Sequence, residues 1–226
     1  NAGTDLPTHQ AVIMVFDVEN GTPLAVMDGR LITEMRTAAG SAAAARKFAV
    51  DAPEIVTIMG SGVQAQAHAA ALSAVRPLGE LRLWSRTEKT GRAAAEAIGA
   101  TFIADAETAI RDADIVATTT SATEPVLMGD WLKPGAFVTS VGWNGADGRE
   151  LDDAAMANTV IVEDTDTARD QGGNIRGSGC DIFAEAGEIY AGKKSVPAGA
   201  TVIYDSVGVA ILDVSAAKLA YDLLSQ

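Results

Sequence analysis

Positive charge is scarce in this chain. Its 226 residues carry 17 Lys and Arg against 30 Asp and Glu, a formal net charge of −13. A surface this acidic repels nucleic-acid phosphates and anionic membranes, so neither is an expected partner, and the acidity itself reads as a solubility device. Cysteine is nearly absent, with Cys180 standing alone. No internal disulfide can form, which fits a reducing, cytoplasmic setting. Without a histidine beside it, a lone cysteine reads as a small packing residue rather than a nucleophile. His9 and His68 are the two histidines. Far apart and without a cysteine partner, they predict no metal site. Long apolar runs are missing as well: stretches such as Ala11 to Phe16 fall far short of the ~20 residues that a membrane-spanning helix needs. No signal peptide and no internal repeat stand out. The chain opens at Asn1 rather than Met, so a trimmed or partial product is expected.

What the chain does have is alternation. Residues 11–28, AVIMVFDVENGTPLAVMD, read as two strands around the turn Glu19-Asn20-Gly21-Thr22, a hairpin signal. The alanine-rich stretch 33–49 predicts a helix. Strands are then expected at 54–59, 81–85, 101–103, 114–118 and 136–141, with helices at 63–75, 87–98 and 105–111 between them. Strand and helix in alternation predict an α/β fold, a Rossmann-type parallel sheet with helices on both faces. A short helix near 152–157 and the strand NTVIVED follow. A helix around 181–192, a strand at 201–204 and a long helix over 207–224 complete the expectation.

One stretch carries chemistry. IVTIMGSGVQAQAHAAAL, residues 55–72, is a strand, a glycine turn and a helix start. Gly60-Ser61-Gly62-Val63-Gln64-Ala65 is the GxGxxA form of the dinucleotide fingerprint. Gly60 permits the tight turn, Gly62 lets the backbone approach a pyrophosphate, and Ala65 lets helix pack on strand. The helix start at Val63 and Gln64 offers free N–H groups to phosphate. An NAD site carries an acidic residue at the end of the second strand, near the ribose 2′-hydroxyl. Here that place holds Ser85, followed by Arg86 and Thr87. A missing carboxylate beside an arginine and two hydroxyls suits a 2′-phosphate, so NADP(H) is expected over NAD(H). A solvated Arg86 is the bland alternative, and Glu88 lies close by.

LPTHQ, GRLITEMRTAAGSAAAARKFA, GSGVQAQAH, WSRT, TTTSATEPV, VGWNGADGRELD and DIFAEAGEI…YDSVGVAILDVSAAKLAYD together resemble the ornithine cyclodeaminase and μ-crystallin family over nearly the whole chain. Its members pair a nicotinamide cofactor with a small imino or amino acid. The resemblance implies a central Rossmann domain, here 33–205, flanked by a substrate and dimerisation part from 1–32 and 206–226. It also implies a homodimer. Family members carry several tens of residues before the position of Asn1, including an arginine and a lysine used at the substrate, and these are expected to be missing here.

The same resemblance implies site residues. Arg36, in EMRTAA, matches the arginine that clamps the substrate carboxylate. Its planar fork suits a carboxylate on chemical grounds too. Thr8 matches a cofactor-contacting threonine, while the adjacent His9, like His68, reads as structural. Thr118, Val141 and Gly142 match residues along the nicotinamide, and Ser206 and Val207 match the stretch that closes the pocket. Asn144 stands where cyclodeaminases have an aspartate. Asn cannot take a proton as a base, and Asp147 belongs to the following turn. The expectation is therefore an NADPH-dependent reductase of a small, cyclic imino acid such as Δ1-pyrroline-2-carboxylate or Δ1-piperideine-2-carboxylate, with Arg36 and Asn144 at the substrate. Ornithine cyclodeaminase, an alanine dehydrogenase-type enzyme and a non-catalytic NADPH-binding protein are the alternatives.

Overall fold

Strands whose every residue is apolar or hydroxylic cannot leave a face in water, and IVTIM, IVAT, FVTS and TVIV are such strands. The computed structural model describes residues 10–142 and 148–225. It opens with a hairpin, β1 (Val12–Phe16) and β2 (Pro23–Asp28), paired antiparallel. The turn between them is held by Asp17, whose Oδ1 accepts from the amides of Glu19 and Asn20. Helix α1 (Gly29–Phe48) follows at once. It starts four residues earlier than position 33, because the Asp28 carboxylate caps it by accepting from the Arg30 amide at 2.9 Å.

The remaining elements build the sheet. They are β3 (Ile55–Met59), α2 (Val63–Val75), β4 (Glu80–Trp84), α3 (Glu88–Ile98), β5 (Thr101–Phe102), α4 (Ala106–Ile110), β6 (Ile115–Thr118), β7 (Phe137–Ser140), α5 (Asp153–Met156), β8 (Thr159–Val162), α6 (Thr165–Gln171), α7 (Gly173–Ser178), β9 (Ala184–Glu185), α8 (Ala186–Tyr190), β10 (Val202–Asp205) and α9 (Ala210–Leu224). Eight strands pair in the order β5-β4-β3-β6-β7-β10-β8-β9. Every pairing is parallel. The chain runs outward from β3 through β4 to β5, then returns to lay β6 on the other side of β3. That reversal opens a crevice at the carboxyl ends of β3 and β6, where such sheets bind ligands.

Side chains alternate across the sheet as the pleat requires. Val56, Ile58, Ile115, Ala117, Val202 and Tyr204 pack on one face with α1, α2 and α8. Met59, Val116, Val138, Val160 and Ile203 pack on the other with α4 to α7. The alanines of α1 are small because the helix is wedged against the sheet and α2: Ala38, Ala42, Ala44 and Ala45 are all buried. Its C-terminal carbonyls are collected by Arg76, whose Nη2 donates to Ala45, Arg46 and Ala49 while Nη1 pairs with Asp51.

Three expectations change. The helix expected at 181–192 is only α8, five residues long, entered through the short edge strand β9. Phe183 and Ala184 are drawn into the sheet beside β8 instead. Helices α6 and α7, where no element was expected, occupy DTDTARDQGGNIRGSG. Asp164 starts the first by accepting from the amide and hydroxyl of Thr167. The last helix begins at Ala210 rather than 207, because Gly208 sits at φ 81°, outside helical geometry. Among the described residues no helix is long and apolar enough to cross a membrane.

His68 is structural, and its bonding is fully determined. The ring is wholly buried between α1, α2 and β7. Nδ1 lies 2.8 Å from the Gln64 carbonyl, which only accepts, so Nδ1 carries the proton. Nε2 then accepts from the Ser41 hydroxyl at 2.9 Å, and Ser41 accepts from Thr139 at 2.8 Å. Burial disfavours the cation and lowers the pKa from 6.5 to about 4. The unfolded chain therefore takes a proton below pH 6.5 that the folded chain refuses, and stability falls as pH drops. We predict that His68 alone removes about 3 kcal/mol between pH 6.5 and 4. Urea unfolding of wild type minus His68→Gln across that range isolates the slope, because the buried carboxylates, which act in the opposite direction, cancel.

Candidate active site

Strand β3 ends at Met59 and the chain turns over Gly60 at φ 128°. A Cβ there would stand 2.5 Å from the Thr119 hydroxyl and 2.9 Å from its carbonyl, so only glycine lets β3 and β6 close up at this point. Gly62 caps α2 without a side-chain bond, and nothing lies within 4 Å of where its Cβ would be. Of the first amides of α2, that of Ala65 donates to the Gly62 carbonyl at 3.1 Å, while those of Val63 and Gln64 have no acceptor among the described residues. Val63 is exposed, Gln64 half-buried and Ala65 buried against the sheet. A turn whose two glycines carry no side chain, at a helix start without a side-chain cap, fits a dinucleotide pyrophosphate.

The end of β4 is tied to this turn by hydroxyls. Ser85 donates to Ser61 at 3.0 Å, and Ser61 to Thr90 at 3.2 Å. Arg86 and Thr87 are exposed beside them. Glu88 is held by Arg92 at 2.7 Å, and Arg86 forms no ion pair among the described residues. The neighbouring carboxylate therefore leaves Arg86 available.

On the other side of the crevice lies a buried acid that sequence reading passed over. Glu150 is fully buried and receives five hydrogen bonds. Oε1 accepts from the Thr120 amide and hydroxyl, both at 2.6 Å. Oε2 accepts from Thr118 Oγ1 at 2.8 Å, Ser140 Oγ at 3.0 Å and the Gly142 amide at 2.9 Å. Gly142 has to be glycine, since a Cβ would meet the Glu150 carboxyl at 2.3 Å. Asn174 completes the arrangement: its Oδ1 accepts from the amides of Glu150 and Leu151, and its Nδ2 donates to Ser140 and to Asp205 Oδ1. Asp205 Oδ2 has no hydrogen-bond partner among the described residues. Burial is the first cause pushing both acids up, Asp205 to about 7, with the Glu150 charge adding to the shift at Asp205. Thr118, expected along the nicotinamide, is wholly buried with its hydroxyl bound to Glu150. Thr119, Thr120, Val141 and Gly142 are half-buried at these strand ends.

A second cluster forms where the chain returns after β10. Glu163 accepts from the Ser206 hydroxyl and, at 3.1 Å, from the Gly208 amide. Arg36, from α1, reaches over Gly208: a Cβ there would stand 2.8 Å from Nη1. Its Nε donates to Asp213 of α9 at 3.1 Å. Nη1 and Nη2 have no hydrogen-bond partner among the described residues, and the side chain is 15% exposed. Burial raises the Glu163 pKa, with Arg36 acting against that shift. Val207 is half-buried beside Gly172.

Thr8, His9, Asn144 and Asp147 lie outside the described residues. Among the described residues no His, Cys, Asp and Glu cluster could hold a metal. Burial raises the Cys180 thiol, so it is no activated thiolate. A depression of about 470 Å³ lined by Gln10, Ala11, Val12, Asp28 and Arg30 lies at the hairpin's foot, away from the glycine turn. Asp205 and Glu163 did leave a sequence signal, a carboxylate at the end of an apolar strand. Glu150 and Asn174 left none.

Residues 1–226 match the model of the ornithine cyclodeaminase/mu-crystallin family. The ketimine reductase mu-crystallin of Mus musculus is 39% identical over 225 residues, covering 98% of this chain and 72% of that protein. The Δ1-pyrroline-2-carboxylate reductase of Thermococcus litoralis, solved with NADH and L-proline, superposes with a TM-score of 0.88 at 33% identity, over 96% of this chain and 72% of the other. An archaeal alanine dehydrogenase dimer with bound NAD has a TM-score of 0.88 at 30% identity, over the same shares.

Proposed function

The chain belongs to the ornithine cyclodeaminase/mu-crystallin family, and from that premise we propose that it reduces a small cyclic imino acid with hydride from a reduced nicotinamide dinucleotide. Δ1-Pyrroline-2-carboxylate and Δ1-piperideine-2-carboxylate are the substrates that fit best. The observation that carries the reading is the pairing of the bare glycine turn at Gly60 with the unsatisfied fork of Arg36, both at the carboxyl-end rim of one sheet. The likeness to a ketimine reductase and to a pyrroline-2-carboxylate reductase supports it.

The nicotinamide, when bound, supplies the hydride. The residues of this chain bind and orient. The amides opening α2 and the hydroxyls of Ser61 and Ser85 take the phosphate and ribose side. Arg36 takes the substrate carboxylate through Nη1 and Nη2, while Asp213 holds Nε and so fixes the plane of the fork. Val141, Gly142, Ser206 and Val207 line the space between, with Asn144 assigned to hydrogen-bond the substrate. Orientation of this kind lowers a barrier by several kcal/mol, on the order of 5 or more. Protonation of the imine nitrogen makes its carbon electrophilic, so the cationic form accepts the hydride.

The NADP(H) assignment rests on Ser85, Arg86 and Thr87, where a ribose-binding carboxylate is absent. Two neighbours hold NADH or NAD, so the preference belongs to this chain's own residues. A homodimer and a division into a central Rossmann domain with a flanking substrate part are further elements of the reading. Val12, Met14, Phe16, Val26, Met35 and Val214 are exposed apolar residues of the hairpin, α1 and α9, elements that contact one another. The single half-buried cysteine fits a cytoplasmic enzyme.

We predict that Arg36→Ala raises KM for the imino acid roughly 100-fold, as loss of a bidentate charged contact should, with a much smaller change in kcat. Steady-state kinetics on Δ1-piperideine-2-carboxylate checks this, and unchanged kinetics would refute the role. Arg86→Ala should cut the NADPH over NADH affinity ratio about tenfold in fluorescence titrations, while an unaltered ratio would return Arg86 to the solvated loop.

A further inference from the structure

A carboxylate with no ion pair among the described residues is an unusual group to bury at a strand end, and Glu150 is completely buried. Its five partners come from two neighbouring strand ends. Thr118 and Thr120 belong to the end of β6, and Ser140 and Gly142 to the end of β7. Each oxygen accepts one backbone amide, Thr120 N–H on Oε1 and Gly142 N–H on Oε2. The amides fix the chemistry. A hydroxyl can rotate and become an acceptor, whereas an amide can only donate. Neither oxygen can be replaced by an NH2 group without facing an N–H that has lost its acceptor. Only a carboxyl group of this length serves both strands at once.

The two segments held in this way are those assigned above to the nicotinamide. Asn174 fixes Glu150 from behind, through the amides of Glu150 and Leu151, and joins it to Ser140 and Asp205. Ser85, Arg86 and Thr87, assigned to the adenosine end, contribute nothing to this network.

We infer that Glu150 is a positioning residue: its carboxylate clamps the ends of β6 and β7 in the one spacing that admits the nicotinamide ring against the substrate, without touching either. This rests on the functional reading above. It goes beyond it in assigning hydride-transfer geometry to a buried acid remote from the glycine turn and from Arg36 in sequence. The clamp acts on the nicotinamide half of the dinucleotide and not on the adenosine half, which is what separates positioning from general damage to the fold.

The test is a pair of titrations on wild type, Glu150→Gln and the milder Thr120→Val, which removes one donor hydroxyl and keeps the amide. The probes are NADPH, which needs both halves of the site, and adenosine 2′,5′-bisphosphate, which needs only the glycine turn and the β4 end. The expected result for Glu150→Gln is a rise of about tenfold or more in Kd for NADPH with kcat reduced, the bisphosphate Kd staying within about twofold. Thr120→Val should move the same way by less. If both ligands weaken together in Thr120→Val, or if neither weakens in Glu150→Gln, the positioning role is overturned. Should Glu150→Gln fail to fold, Thr120→Val decides alone: selective loss of NADPH affinity supports the clamp and unchanged affinity overturns it. Wild type that binds neither NADPH nor NADH overturns the functional reading and this proposal with it, an outcome seen before any substitution is compared.

Discussion

The site depends on one buried carboxylate shared by two strands. A parallel sheet satisfies its own backbone until the strands end, and there the amides and hydroxyls must find other partners. At β6 and β7 they find Glu150. The crevice opens between β3 and β6, where strand order reverses, so the ends of β6 and β7 have to stay together and leave the β3 side open. A carboxylate bridging Thr120 and Gly142 meets both demands. It also explains the glycine at 142, because any side chain would occupy the carboxylate's place. The cost of burying that charge is offset by five donors rather than by a counter-ion, and burial still raises its pKa.

The same economy of polar groups recurs elsewhere. Ser41, Thr139 and His68 form one satisfied chain between helix and sheet. Asp114 accepts from the amides of Glu54 and Ile55 and pairs with Lys133, closing the foot of β3 on that of β6. Arg76 gathers the open carbonyls of α1. Each group joins segments distant in sequence, so each helps specify one packing among those that the alanine-rich helices would otherwise allow. Arg36 differs. Its Nε is held by Asp213 and its Nη atoms are not held among the described residues, which leaves it, like Arg86, a cation at this rim with hydrogen-bonding capacity left over.

How much of this was legible in the sequence follows from what each signal depends on. The sheet was legible because its strands are apolar on both faces and alternate with helix-forming stretches, a pattern local to each window. The glycine turn was legible because GxGxxA encodes backbone geometry directly. Helices α6 and α7 were not, since DTDTARDQGGNIRGSG offers few apolar residues and three glycine interruptions, and Asp164 capping decides the matter. Strand β9 exists only through its pairing with β8. Gly60 and Arg86 could be named from residue type and neighbours, and Arg36 chiefly from the family resemblance. Glu150 and Asn174 could not, because their roles come from burial and from partners up to 34 residues away. Thr118 shows the limit from the other side. The strand end was found, but its side chain serves Glu150.

The proposed reaction passes hydride from the nicotinamide to the carbon of a C=N bond. The direct measurement is isotope transfer. Reduced nicotinamide dinucleotide phosphate carrying deuterium on the transferring face of its C4 is incubated with the protein and Δ1-piperideine-2-carboxylate, and the product is examined by mass spectrometry and NMR. The account predicts pipecolate with a single deuterium on its α-carbon, formed in step with cofactor oxidation. Pipecolate without deuterium, or bound cofactor that remains unoxidised across cyclic imino acids, would contradict it.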